Sequence, residues 1–134
     1  MNKTELMSLA AKARKNAYAP YSNFYVGAAL LAKSGKIYLG CNIENSSFPA
    51  TICAERVAIS KAVSEGERDF EAIAIIGGKS NENGKFAAPC GVCRQVITEF
   101  CDESFKIILG NENECKEYSL SEIMPYAFTP KDLA

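Results

Sequence analysis

The chain has 134 residues, 48% of them hydrophobic and 23% charged, with a net charge of −1. That length and composition suit one domain, residues 1–134, with a real buried core. Lys and Arg are scattered, which argues against a nucleic-acid partner; the start M-N-K-T-E-L-M-S-L-A-A-K-A-R-K-N-A-Y has no apolar core of signal-peptide length, and no segment is long enough to span a membrane.

The cytosol is therefore the expected compartment, where cysteines serve as thiols or metal ligands rather than disulfides. There are six cysteines and no histidine. Any metal would need Cys or carboxylate ligands, and any general base near neutral pH would be something other than imidazole.

In chain order, Leu6, Leu9, Ala10, Ala13 and Ala17 recur at helical spacing over residues 3–17, with Asn2 and Glu5 in the pattern of a capping box. Pro20 ends that helix. Phe24–Lys33 and Lys36–Ile43 predict two strands joined at Ser34-Gly35, a hairpin. After N-S-S-F-P-A, Thr51 is placed to cap a helix from Ile52 to about Glu65. The run F-E-A-I-A-I-I-G, residues 70–77, has the pattern of a buried strand. Pro89 suits the first turn of a helix reaching about Phe100. Phe105–Leu109 is a short strand and Ser119–Met124 a short helix, followed by the tail P-Y-A-F-T-P-K-D-L. A hairpin followed by alternating helices and strands predicts an α/β fold: a three-layer α-β-α arrangement on a mixed central sheet.

The chemistry concentrates in two stretches. Cys90 and Cys93 of A-P-C-G-V-C-R-Q stand three apart at a helix start, so they share a face. Cys53 of T-I-C-A-E-R opens the earlier helix. Helix N-termini favour thiolates, and the two starts could converge on one zinc with its fourth tetrahedral position free. Glu55, two residues after Cys53, is placed to move a proton for a water activated by that metal. Arg56 and Arg94 adjoin the motif and could donate to the ligand sulfurs, draining their excess negative charge.

A Cys-x-x-Cys alone also fits a redox dithiol or a closed four-thiolate site in a non-catalytic zinc-stabilised module. The dithiol leaves Cys53-Ala54-Glu55 unexplained. For the closed site, Cys41 and Cys101 read as packed residues, which leaves Cys115 as the open candidate.

Cys-Ala-Glu followed by Pro-Cys-x-x-Cys is a zinc nucleobase-deaminase signature. Together with Y-S-N-F-Y-V-G-A-A, G-C-N-I-E-N-S-S-F-P-A-T-I-C-A-E-R and P-C-G-V-C-R-Q-V-I, nearly the whole chain resembles the cytidine deaminases of the small, homotetrameric, three-cysteine type. The resemblance implies one zinc per chain on Cys53, Cys90 and Cys93, with Glu55 as proton shuttle. It implies that Asn42 and Glu44 bind the ribose, that Phe24 stacks near the base, that the Ala54 N–H meets the pyrimidine carbonyl, and that Phe128 enters a neighbouring subunit's site. Strand alternation independently puts Asn42 and Glu44 on one face, opposite Ile37, Leu39, Cys41 and Ile43. Without the motif, Asn42 reads as a turn former, Glu44 as a solvated strand-end charge, Phe24 as core, and Phe128 as a tail residue packing on its own domain.

The implied substrate is a free pyrimidine nucleoside, cytidine or 2′-deoxycytidine, deaminated hydrolytically in cytoplasmic pyrimidine salvage; neither nucleic acid nor membrane is a partner. A deaminase of a nucleoside-like small molecule shares the same chemistry. The chain departs from the family at Ser46-Ser47-Phe48, where Ala-x-Tyr is common, so a sugar contact from that tyrosine's hydroxyl has no counterpart in Phe48.

Overall fold

Two strands carry apolar residues on both faces, and that decides the layering. The computed structural model describes residues 1–134. Its five strands are β1 (Phe24–Ala32), β2 (Ile37–Cys41), β3 (Phe70–Lys79), β4 (Lys106–Gly110) and β5 (Cys115–Ser119). They lie in the order β2-β1-β3-β4-β5. Only β3 and β4 run parallel; the remaining pairs are antiparallel. The helices are α1 (Lys3–Arg14), α2 (Ala54–Ser64), α3 (Gly91–Phe100) and the short α4 (Leu120–Ile123).

Residue parity sorts the core in two. Ala28, Leu30, Ile73, Ile75, Ile107 and Leu109 pack against Ala54, Ala58 and Ile59 of α2 and Ile97 of α3. Their neighbours Ala29, Leu31, Ala72, Ala74, Ile76 and Ile108 face Leu6, Met7 and Ala10 of α1. A sheet covered on both faces needs strands that are apolar throughout, which is why β1 and β3 lack alternation. Each buried Leu, Ile or Met contributes roughly 1.5–3 kcal/mol of transfer free energy. The three-layer α/β arrangement expected from the sequence is therefore the one found. No helix is long and apolar enough to cross a membrane.

Several element ends differ from the sequence expectation. α1 stops at Arg14, not residue 17. Beyond it the chain bonds elsewhere: Tyr18 N–H donates to Asn42 O and Glu44 N–H to Tyr18 O, at 3.0 and 2.9 Å. Thr51 does not cap α2. Its Oγ1 accepts from Asn45 N–H at 3.1 Å, Ile52 pairs with Ile43, and Cys53 is the N-cap. Pro89 likewise precedes α3 rather than lying in its first turn, because Cys90 is the N-cap there. β2 is covered on both sides, with Tyr38 and Gly40 more buried than Ile37, Leu39 and Cys41. The edge strand β5 has no counterpart among the elements expected from the sequence. Its sequence C-K-E-Y-S has little apolar signal, and it forms because Asn111 Oδ1 turns the chain back by accepting from the N–H groups of Asn113 and Glu114.

Gly40 fixes how closely α2 approaches the sheet. A Cβ there would collide with the backbone carbonyl of Ala54 and lie 2.7 Å from the Ala58 nitrogen. Neither atom can yield without moving α2. Gly40→Ala is expected to cost about 1–3 kcal/mol, read as a lower Tm.

Candidate metal centre

The face of the sheet under α2 and α3 gathers the chemistry. Cys53 caps α2 and Cys90 caps α3, and neither thiol accepts from the free N–H groups of the helix it caps. Polar N-cap residues normally satisfy the free N–H groups there. Two thiols occupying both caps instead are side chains reserved for something else. Cys93, one turn into α3, is fully buried.

The three Sγ atoms lie within 4.8 Å of one another. Cys53 and Cys90 are 3.8 Å apart, and Cys90 and Cys93 3.5 Å. Ligands held about 2.3 Å from a tetrahedral zinc stand about 3.8 Å apart, so these sulfurs fit that ion. Cys41, Cys101 and Cys115 are not in the cluster. This removes the fourth thiolate that a closed structural site needs.

The sulfurs are electrostatically unlike. Hydrogen bonding from Cys93, aided by Arg56, brings Cys53 down to about 5 against burial. Cys93 is pushed upward, first by its bond to Cys53 and then by burial. Glu55, in the first turn of α2, is only 4% exposed and lies in neither of the two salt bridges. Burial, reinforced by nearby Cys53, pushes its carboxyl up to about 7. An acid with that value can both accept and release a proton near neutral pH.

The family model for the cytidine and deoxycytidylate deaminase zinc-binding region matches residues 1–109, a span holding Glu55 and all three clustered cysteines. The chain belongs to that deaminase family. It is 47% identical to a cytidine deaminase of Sporosarcina psychrophila, over 100% of this chain and 96% of that one. A cytidine deaminase of Halalkalibacterium halodurans is 46% identical, over 99% and 98% of the two chains. The crystal structure of a cytidine deaminase from Burkholderia pseudomallei superposes with a TM-score of 0.87 at 41% identity, covering 96% of this chain and all of that one. Zinc is accordingly the metal of this deaminase, and three sulfurs with tetrahedral spacing suit it.

The two arginines part company. Arg56 Nη2 donates to Cys53 Sγ at 3.5 Å, as expected. Arg94 does not reach a sulfur. Its Nε donates to Pro89 O and its Nη1 to Ile123 O, both at 2.7 Å, because the side chain lies along the start of α3 toward the C-terminal segment. It ties the Cys90 cap to α4. Arg56→Gln is expected to loosen zinc about 10–100-fold, measured by competition with a chromophoric chelator.

Strand parity also brings Phe24 and Asn42 to this face of the deaminase, since each shares it with Leu30 or Tyr38. The Phe24 ring lies where a Cβ on Gly77 would be, 2.9 Å from its Cε2. Asn42 is 8% exposed; its Oδ1 accepts from Val26 N–H and its Nδ2 donates to Phe24 O, both at 2.9 Å. Glu44 accepts from the N–H groups of Tyr21 and Ser22 at 2.9 and 3.2 Å. The Asn42 amide keeps one acceptor and one donor position free, and the Glu44 carboxylate keeps capacity for a further donor. Ala54 is the first residue of α2, so its N–H finds no carbonyl within the helix.

Ser46 is exposed in the loop before a 3-10 turn at Phe48–Ala50. Phe48 is 72% exposed and meets Tyr21 edge-on, with ring centres 6.0 Å apart. Phe128 is 57% exposed, while its carbonyl accepts from Gln95 Nε2 of α3 at 2.9 Å. Its ring therefore stands out from the helix that carries two of the cysteines.

Proposed function

We propose that this chain catalyses hydrolytic deamination of cytidine and 2′-deoxycytidine to uridine and 2′-deoxyuridine, releasing ammonia. The observation that carries this reading is the buried Glu55, in no salt bridge, beside three sulfurs spaced for one zinc. Cys53, Cys90 and Cys93 hold the ion. When bound, zinc lowers the pKa of a water to about 7 and so supplies the nucleophile at neutral pH.

Glu55 then handles the protons. Its carboxylate takes one from the attacking water and delivers it to N3 of the base as the C4–O bond forms. It next takes the proton of the new C4 hydroxyl and passes it to the exocyclic nitrogen, so that the C4=O bond forms as the C4–N bond breaks and ammonia leaves. Phe24 stacks against the base, the Ala54 N–H donates to the pyrimidine carbonyl, and Asn42 and Glu44 bind sugar hydroxyls. Arg56 offsets the negative charge of the thiolates.

The working form in this reading is a cytoplasmic homotetramer serving pyrimidine salvage. Cys90 is exposed in the single chain, as are Phe48, Val92 and Phe128. Such chemistry needs water excluded, so a neighbouring chain that covers this surface and inserts Phe128 would complete the site. The deciding experiment follows ultraviolet absorbance and ammonia as purified protein acts on cytidine. Turnover abolished by a chelator and restored by zinc is expected; no ammonia from the zinc-loaded protein would overturn the proposal.

A further inference from the structure

Ser22 lies in the segment Y-S-N-F between α1 and β1, and its hydroxyl touches both halves of the proposed nucleoside site. It donates to Glu44 Oε2 and accepts from Phe24 N–H at 3.0 Å. With Tyr21 N–H and Ser22 N–H on Oε1, three of the roughly four lone-pair positions of the Glu44 carboxylate are committed within the chain. The place left for a ligand is on Oε2, the oxygen that Ser22 holds.

The local backbone is built for this contact. Asn23 has φ +57°, in the left-handed region that Asn tolerates better than most residues. That reversal lets the Ser22 hydroxyl turn back onto the Phe24 N–H. The loop closes through Asn42, whose Nδ2 donates to Phe24 O. No cation pairs with Glu44, so only these donors set its rotamer.

We infer that Ser22 is a positioning residue, whose hydroxyl holds the Glu44 carboxylate ready for a sugar hydroxyl and in register with the Phe24 ring. This rests on the reading of Glu44 and Phe24 given above. Ser22→Ala and Ser22→Thr are compared with the wild type on cytidine and on 2′,3′-dideoxycytidine, which lacks both ring hydroxyls of the sugar. Ser22→Ala is expected to raise KM for cytidine roughly tenfold, with kcat within about twofold. Its kcat/KM for the dideoxy substrate stays within about twofold of wild type, and Ser22→Thr, which keeps the hydroxyl, behaves as wild type.

An unchanged KM for cytidine, equal losses on both substrates, or no recovery with threonine would each overturn the assignment. Loss of zinc or of soluble protein in Ser22→Ala would do the same, making Ser22 a folding residue. A zinc-loaded wild type that releases no ammonia from cytidine defeats the functional reading itself, and this inference with it.

Discussion

Glu55→Gln, like Glu55→Ala, keeps its zinc and loses its turnover. The expected fall in kcat is about a hundred- to ten-thousand-fold, the range for removing a positioned general acid–base group. Zinc stays because Glu55 is not among the clustered sulfurs, and the amide fills nearly the same buried space. Stability should not fall either. Burial raises the carboxyl from an ordinary 4.5 to about 7, so the folded state holds its proton across a window where the unfolded chain releases it. Over that window the wild type loses stability as pH rises, whereas the amide does not titrate. In the zinc-free protein, Glu55→Gln should therefore melt higher than wild type above pH 7, with the gap closing toward pH 4.5. Metal analysis, kinetics and thermal melts at several pH values test all three parts. A zinc-poor Glu55→Gln protein would count against the role assigned to the carboxylate.

Cys53→Ala is expected to fail differently, losing metal and stability together. Its sulfur is the only one of the three at the start of α2, so an ion held by all three would tie the starts of α2 and α3 together. A ligand present at about a thousand times its dissociation constant stabilises the fold by about 4 kcal/mol. For a chain of this size that corresponds to roughly 10–20 °C in Tm. Chelation of the wild type should reproduce most of the shift, and restored zinc should reverse it only where Cys53 is present. A Cys53→Ala protein with one zinc per chain and an unchanged melt would defeat this account.

Much of this could be read from local pattern because the determinants are local. The uninterrupted apolar runs of β1 and β3 require cover on both faces, so the α-β-α layering follows from the strands themselves. Cys90 and Cys93 share a helix face through their spacing alone, and Cys53 with Glu55 falls at a second helix start. Where a segment's bonds lie far away in sequence, local pattern misleads. α1 ends early because Tyr18 bonds with Asn42 and Glu44. Thr51 serves a loop rather than a helix. β5 pairs along the edge of β4 once the Asn111 turn has brought the chain back.

The same division runs through the site. Adjacency to a motif made Arg56 and Arg94 look equivalent, yet only Arg56 meets a sulfur while Arg94 binds the carbonyls of Pro89 and Ile123. Nothing in Y-S-N-F marks Ser22 as a partner of Glu44, because that pairing spans 22 positions and needs the left-handed Asn23. The sequence by itself determined which residue types stand at the two helix starts and which faces of the strands are apolar, since both follow from short-range spacing. Only the tertiary structure decided the distance between the sulfurs, the burial of Glu55 and the loop that holds Glu44. These arise from packing two separately encoded helices onto one sheet, and no short-range pattern sets that packing.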